Sequence, residues 1–524
     1  MTTGVFDHRA ASSRRHESAP PLREPQLVTG RMACTPYRRE ALGPLLLVSV
    51  SVGAIVVGAL AARSPLLGVC AVAAAVYGLI VVARPAVGVL TSFALVPVTA
   101  GLRRGLPVPG LKLSEVVLLG SAVLVLSMAG GRRRWNAVDY AALTFVLMGA
   151  GVTGATLLRG TAPVEAEAIR SAFAPAVFFL LYRSVRAAGL TGRQRLTALS
   201  LLLAPAALVV LVALGQYFDV LGVRQLVESV TGGSVFERWS YLSGETGNRA
   251  TGLFEIWHSL AGYLVPLILL CLAMVNEAEL PERWRRFAAL MLGLTLVGLI
   301  ASQTLNAIAV TLGGALLLGA LQRRLGRTVA LLMAASVLAA ALVGPALVGR
   351  LDEQFGAGST LGRNVEGRIS IWSEDYADFL ERSWAIGYGP GLPSDVEWDH
   401  TESLYVTLLL RGGIVLTGAF VLLFGVIIVS AWGARHTTEP VDRVVANAVF
   451  AVATGSIVMH AIFPYFTSSG FPQVFWLLLA LLPSPVRRHP ADVAADAAGA
   501  PGPPRPAPRS PTTGPVGVGG STLL

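Results

Sequence analysis

Apolar residues fall in blocks of about 18 to 22 separated by short polar stretches, and this block length predicts the elements. The blocks at 41–61, 196–217 and 328–349 are representative. As helices, each is long enough to cross a ~30 Å hydrocarbon core. The pattern predicts helices near 42–61, 66–83, 86–101, 111–130, 137–158, 169–187 and 196–218. After a longer polar interval it predicts 257–275, 286–302, 304–321, 328–349, 404–431, 443–463 and a short last segment, 472–482. The expected fold is all-α, a polytopic integral membrane bundle of about 12 to 14 transmembrane helices, because helices satisfy their own backbone groups in lipid.

Two intervals, 219–256 and 350–403, are too long to be plain connectors. The second holds eleven acidic residues against four arginines. Its stretch 367–383 carries Ile369, Trp372, Tyr376, Phe379 and Leu380 at helical spacing, which predicts an amphipathic helix along a membrane surface or over a cavity. Residues 1–40 are polar and lack an apolar core with a cleavage site, so they read as a disordered cytoplasmic tail. Residues 485–524, rich in Pro and Ala, read as a second such tail, leaving 41–484 as the transmembrane domain.

Composition agrees with the block pattern. The 524 residues are 54% hydrophobic and 14% charged, where soluble domains carry roughly 25% charged residues. The net charge of +10 raises nucleic-acid binding as a question. Its arginines, however, sit at 132–134, 183–195, 283–286 and 323–327, in every second loop between apolar blocks. That alternation is the positive-inside pattern of a multi-pass protein of the cytoplasmic (inner) membrane with both termini cytoplasmic, and it leaves no basic surface for a nucleic acid. Both long intervals then fall on the extracytoplasmic side. Cys34, Cys70 and Cys271 imply no disulfide framework.

The chemistry concentrates in the later interval. Arg368 opens a Gly-Arg-Ile-Ser-Ile-Trp run ending at Trp372, followed by Gly387-Tyr-Gly-Pro-Gly391, His400-Thr-Glu-Ser-Leu-Tyr405 with Glu402 inside it, and Gly412-Gly413 in the next helix. An earlier segment, Asn248-Arg-Ala-Thr-Gly252-Leu-Phe254, leads into a helix. In this order the motifs resemble those of the O-antigen ligase and polymerase superfamily, over about residues 248 to 418. The resemblance implies a metal- and cofactor-independent membrane glycosyltransferase. Such an enzyme moves a glycan from a polyprenyl diphosphate carrier to a hydroxyl of a glycan or lipid acceptor at the outer face of the inner membrane. It assigns diphosphate and substrate contacts to Arg249, Arg368, Trp372, Asn248 and Tyr405, and a general base to His400 or Glu402.

Read on their own, the residues are compatible with this. A lipid diphosphate needs cations at headgroup depth, and arginine offers a planar fork to phosphate oxygens. A hydroxyl nucleophile needs a base, which His400 or Glu402 supplies. Trp239, Tyr241, Trp257, Trp372, Trp384 and Trp398 offer faces for sugars, or form an interfacial aromatic belt. The chain also departs from the family. The family's spacing back from Gly413 falls on Glu402 and Ser403, Leu416 stands at a second glycine position, and Ser302-Gln-Thr-Leu-Asn306 lacks the arginine of a Ser-Arg pair. The alternative is a lipid-linked oligosaccharide flippase or other transporter, which should carry charges inside its helices. Here the helix interiors read as nearly charge-free, with Glu115 and Asp139 close to helix ends.

Overall fold

Every apolar block from residue 66 onward forms a helix in the computed structural model, which describes residues 65–101, 113–128, 135–159, 166–231, 249–355, 363–390 and 401–483. The expected helix at 42–61 and both expected tails lie outside the described residues. The chain divides into two compact units, Met1–Val76 and Tyr77–Leu524. Of the first, the described part is the beginning of helix α1 (Pro65–Ala83).

The second unit carries the rest. Its helices are α2 (Pro85–Thr99), α3 (Leu113–Met128), α4 (Ala137–Arg159), α5 (Ala166–Ala188), α6 (Gly192–Tyr217), α7 (Val223–Thr231) and α8 (Trp257–Asn276). They continue with α9 (Glu282–Ala301), α10 (Leu305–Leu321), α11 (Leu325–Phe355), α12 (Arg363–Ile371), α13 (Ala377–Ser383), α14 (Leu404–Ala434), α15 (Pro440–Ile462) and α16 (Phe471–Ala480). Among the described residues six of these, α4, α6, α8, α9, α14 and α15, are long and apolar enough to cross a membrane. The protein is an all-α, polytopic helical bundle.

Burial follows sequence character. α8 is apolar all round, and 94% of its membrane-length window is buried, as expected of a central helix. It packs against α9, α10, α15 and α16. α14 contacts α4 and α15 and leaves Val421, Leu422 and Val429 exposed. Such a face suits lipid rather than water.

The two ends of the bundle are chemically different. At one end, arginines and acids pair across helices. Arg443 meets Glu277 at 3.0 Å and Glu279 at 2.8 Å, and Arg195 pairs with Asp442. The fully buried Asp139 faces Arg183 at 2.7 Å and Arg186 at 3.7 Å, and Arg186 also donates to the Leu482 carbonyl. Asn136 caps α4, its Oδ1 accepting from Asp139 N–H, and the Asp139 carboxylate accepts from Asn136 N–H in return. These contacts tie α4 to α5 and the end of α16, and α6 and the end of α8 to α15, where the positive-inside pattern puts arginine. The other end holds the described parts of the two long intervals.

Asp139→Asn keeps the shape of the site but removes the buried carboxylate that Arg183 and Arg186 face. We expect it to lower stability by roughly 3 kcal/mol, read as a fall in the thermal unfolding midpoint in detergent. Unchanged unfolding would show that the cluster is not a staple.

Candidate functional site

The end opposite the ion pairs is organised by a break in α14. Its apolar run continues through Gly412-Gly413, yet at Gly413 the backbone takes φ 58° and ψ −159°, a region open essentially to glycine alone. The break frees carbonyls inside a membrane-length segment, where no water can satisfy them. The 384–390 loop does so instead. Tyr388 N–H donates to the Leu410 carbonyl at 2.7 Å and Gly389 N–H to that of Arg411 at 2.8 Å, while Ile414 N–H donates to Trp384 O at 2.8 Å. Gly387, at φ 70°, lets the loop approach, since a Cβ there would collide with the backbone of Arg411 and Gly412. Gly387 and Gly389 of the glycine-rich loop and the Gly412-Gly413 pair, separate motifs in sequence, are two halves of one joint.

That joint anchors the amphipathic segment. α12 and α13 are continuous through a π-helical turn, Trp372–Tyr376, a wider coil often found at functional sites. Arg368 and Trp372 stand four residues apart and so share a face. Both reach residues 401–402. Arg368 grips the Glu402 carboxylate with Nε at 2.8 Å and Nη2 at 2.5 Å, and Trp372 Nε1 donates to the Thr401 carbonyl at 2.8 Å. Glu402 is held at φ 53°, a strained position for a side-chain-bearing residue, of the kind that clusters at functional sites. Tyr376 continues the buried stripe, whereas Ile369, expected on the same apolar face, is exposed. Tyr405 turns its hydroxyl to the Ile457 carbonyl at 2.9 Å. His400 and Asn248 lie outside the described residues, as do Trp239, Tyr241 and Trp398.

The second arginine arrives from the earlier segment. Arg249 is 7% exposed and its guanidinium lies 4.7 Å over the Trp257 ring, a cation–π contact. The buried Gln216, in the last turn of α6, fixes this segment. Its Oε1 accepts from Thr251 N–H at 3.0 Å and Gly252 N–H at 2.8 Å. Ala250 N–H donates to Ala301 at the end of α9, and Phe254 packs on Tyr263.

Tyr465, in the connection between α15 and α16, joins the two groups. Its hydroxyl donates to Asn306 Oδ1 at 3.0 Å and its ring meets His258 edge-on, 6.2 Å between centroids. His258 stacks on Phe463 at 4.1 Å and neighbours Trp257. Burial holds the Tyr465 phenol well above the usual tyrosine range, with Asn306 and Arg368 pulling it back and Glu402 adding to the rise. The phenol is therefore a neutral donor within electrostatic reach of the Arg368–Glu402 pair. Arg249 is thus tied through Trp257 and His258 to Tyr465, whose phenol also feels the charges of Arg368 and Glu402.

A cavity of about 330 Å³ lies against the α15–α16 connection, bordered by Phe466, Thr467, Ser468 and Ser469. Its lining combines apolar side chains such as Phe145, Phe178 and Leu416 with the polar Glu255, Arg411 and Gln473. Arg411 is the sole charged residue of the α14 sequence and a clear exception to the expectation of nearly charge-free helix interiors. It and Gln216 were legible as isolated polar residues in apolar blocks. His258, Asn306 and Tyr465 carry no such mark, because only the tertiary packing brings them together. Among the described residues no group of three His, Cys, Asp or Glu side chains is arranged to hold a metal ion. No model of a known protein family matches the chain, and no curated protein matches its sequence.

Gly413→Ala adds a Cβ in a glycine-only conformation and against the Ala385 backbone. It should cost at least about 2 kcal/mol and lower the unfolding midpoint clearly more than Gly418→Ala, whose Cβ meets open space. Equal effects of the two would show that the break is not fixed.

Proposed function

We propose that the chain is an O-antigen ligase-like or polymerase-like glycosyltransferase of the cytoplasmic membrane, with both termini cytoplasmic and the broken-helix end facing outward. It moves a glycan from a polyprenyl diphosphate carrier to an acceptor hydroxyl in cell-surface polysaccharide assembly, with no metal or cofactor. The observation that carries the reading is that Arg249, through Trp257 and His258, and the charges of Arg368 and Glu402 all reach Tyr465, from segments over a hundred residues apart in sequence. The cavity borders the same connection at Phe466–Ser469, and Arg411 and Glu255 are the charged residues of its otherwise largely apolar wall. A diphosphate near Tyr465 would meet planar cations, and an isoprenoid chain the apolar side chains of the cavity.

In this scheme the acceptor hydroxyl attacks the sugar C1, the C1–O bond to the diphosphate breaks, and the hydroxyl proton passes to His400 or Glu402. The arginines balance charge gathering on the leaving diphosphate. Arg368 is held by Glu402, so an incoming oxyanion competes for the same guanidinium. A carboxylate released in that exchange becomes available as a base only once donor is bound. Trp372 and Tyr405 contact substrate, as does Asn248.

One observation favours a second reading. A broken membrane-length helix with an arginine on a cavity wall is a feature of transporters that bind substrate at discontinuous helices, and a flippase for lipid-linked oligosaccharide would use it. The two readings separate on product.

Purified protein in detergent, given a native polyprenyl diphosphate glycan and an acceptor, is expected to yield an elongated or transferred glycan. Arg249→Ala and Arg368→Ala should each slow transfer roughly ten- to hundredfold, and the double change His400→Ala, Glu402→Gln by about 10²–10⁴. Full-rate transfer in all variants would refute the site, and movement of the lipid-linked glycan across vesicles without any new bond would favour the flippase.

A further inference from the structure

The exit of α6 carries apolar side chains to a place where neither backbone nor water suits them. On the membrane-length part of this helix Ala204, Leu208 and Leu211 are exposed about one turn apart, the face such a helix turns to lipid. The stripe does not stop with the helix. It runs on through Phe218, Val220 and Leu221 and into α7 at Leu226, all of them exposed, Leu221 at 97%. Leu221 also holds φ 52°, a region that glycine, asparagine and aspartate enter far more readily than leucine. In water this residue would be a poor choice twice over.

The turn that presents these side chains is firmly built. Val220 N–H donates to the Gly215 carbonyl at 2.8 Å and Leu226 N–H to that of Gly222 at 3.0 Å, and Val223 crosses the last turn of α6 against Gly215. Val227 and Thr231 are buried on the inner side of α7. Gln216, just before the turn, is gripped from two sides. Its backbone carbonyl accepts from Arg224 Nη2 at 3.2 Å, while its side-chain carbonyl accepts from Thr251 and Gly252 N–H. The turn is thereby tied to the segment that carries Arg249. Its depth suits a membrane interface. α6 has 26 residues and so is about 39 Å long, against a hydrocarbon core of ~30 Å and about 40 to 45 Å with the headgroup layers. A helix of that length delivers Phe218 and Leu221 to the interfacial layer.

We propose that residues 218–226 form an interfacial anchor, a rigid elbow sunk among the lipids of the leaflet nearest the Arg249 segment, which holds Gln216 and with it residues 249–254 in place. Its partner is the upper acyl-chain layer of the bilayer. Continuity with the lipid-facing stripe of α6 selects this occupant, because the same row of side chains meets lipid before the turn and after it. The exposed Gln225 and Ser229 stand beside Leu226 on α7, the mixture expected where acyl chains give way to headgroups. The inference goes beyond the transferase reading and does not use it.

The test uses the full-length protein in phosphatidylcholine nanodiscs, with its three cysteines changed to alanine and a single spin label introduced through Leu221→Cys, Leu226→Cys or Gln225→Cys. Oxygen concentrates among acyl chains and a nickel chelate stays in water, so the two relaxation agents report depth. Labels at 221 and 226 are expected to collide mainly with oxygen, and the label at 225 mainly with the chelate. Labels at 221 and 226 that meet the chelate instead would place the elbow in water, and labels shielded from both agents would place it under protein; either result overturns the anchor. Leu221→Asp provides an independent arm, since aspartate suits the backbone there and a side chain this exposed can be changed without disturbing the core. It is expected to speed hydrogen exchange of the Thr251 and Gly252 amides roughly tenfold, while Gln225→Asp leaves them unchanged. Exchange in Leu221→Asp equal to that of the unaltered protein would overturn the hold on Gln216.

Discussion

A helix that breaks inside a membrane must find partners for the carbonyls it releases, and in this protein one loop supplies them. The bonds from Tyr388 and Gly389 to Leu410 and Arg411 replace hydrogen bonds that water would otherwise make and lipid cannot. Much at that end follows from the joint. It fixes where the 363–383 segment lies, hence where Arg368 and Trp372 meet residues 401–402. It also puts Arg411 on the cavity wall at the level of the break.

The bundle divides its labour between its ends. Ion pairs between arginines and acids, several of them largely buried, tie five helices at one end. Among the described residues, the other end has strained backbone at Gln303 and Glu402, buried amide nitrogens of Gln303 and Asn306 without a hydrogen-bond partner, and the Arg368–Glu402 pair. Strain and unmet hydrogen bonds persist only where the surrounding structure over-determines them. Here the firmly buried α8 and the opposite ion-pair cluster provide that support.

The helices were legible because block length and hydropathy are summed over many residues, and the expected boundaries from 66 to 482 fall within a few positions of those found. Within the 219–256 interval, the short α7 gave no such summed signal. The order of motifs singled out Arg249, Arg368 and Glu402. It did not reveal that Arg368 and Glu402 are partners, nor that Gly387 and Gly413 belong to one joint, since those contacts depend on a break the apolar pattern conceals. Asn306, Tyr465 and His258 are single polar residues at helix ends and in a short connection. What gives them meaning is mutual proximity, which no local pattern encodes.

The docking of the 384–390 loop on the broken helix is most directly tested by hydrogen–deuterium exchange of the protein in lipid nanodiscs. The amides of Tyr388 and Gly389 should exchange as slowly as those of the adjacent α14 turns, because each is bonded to a buried carbonyl. Exchange at the rate of an unstructured peptide would mean the loop is undocked, and the account of how Arg368 and Glu402 come to share one site would be contradicted.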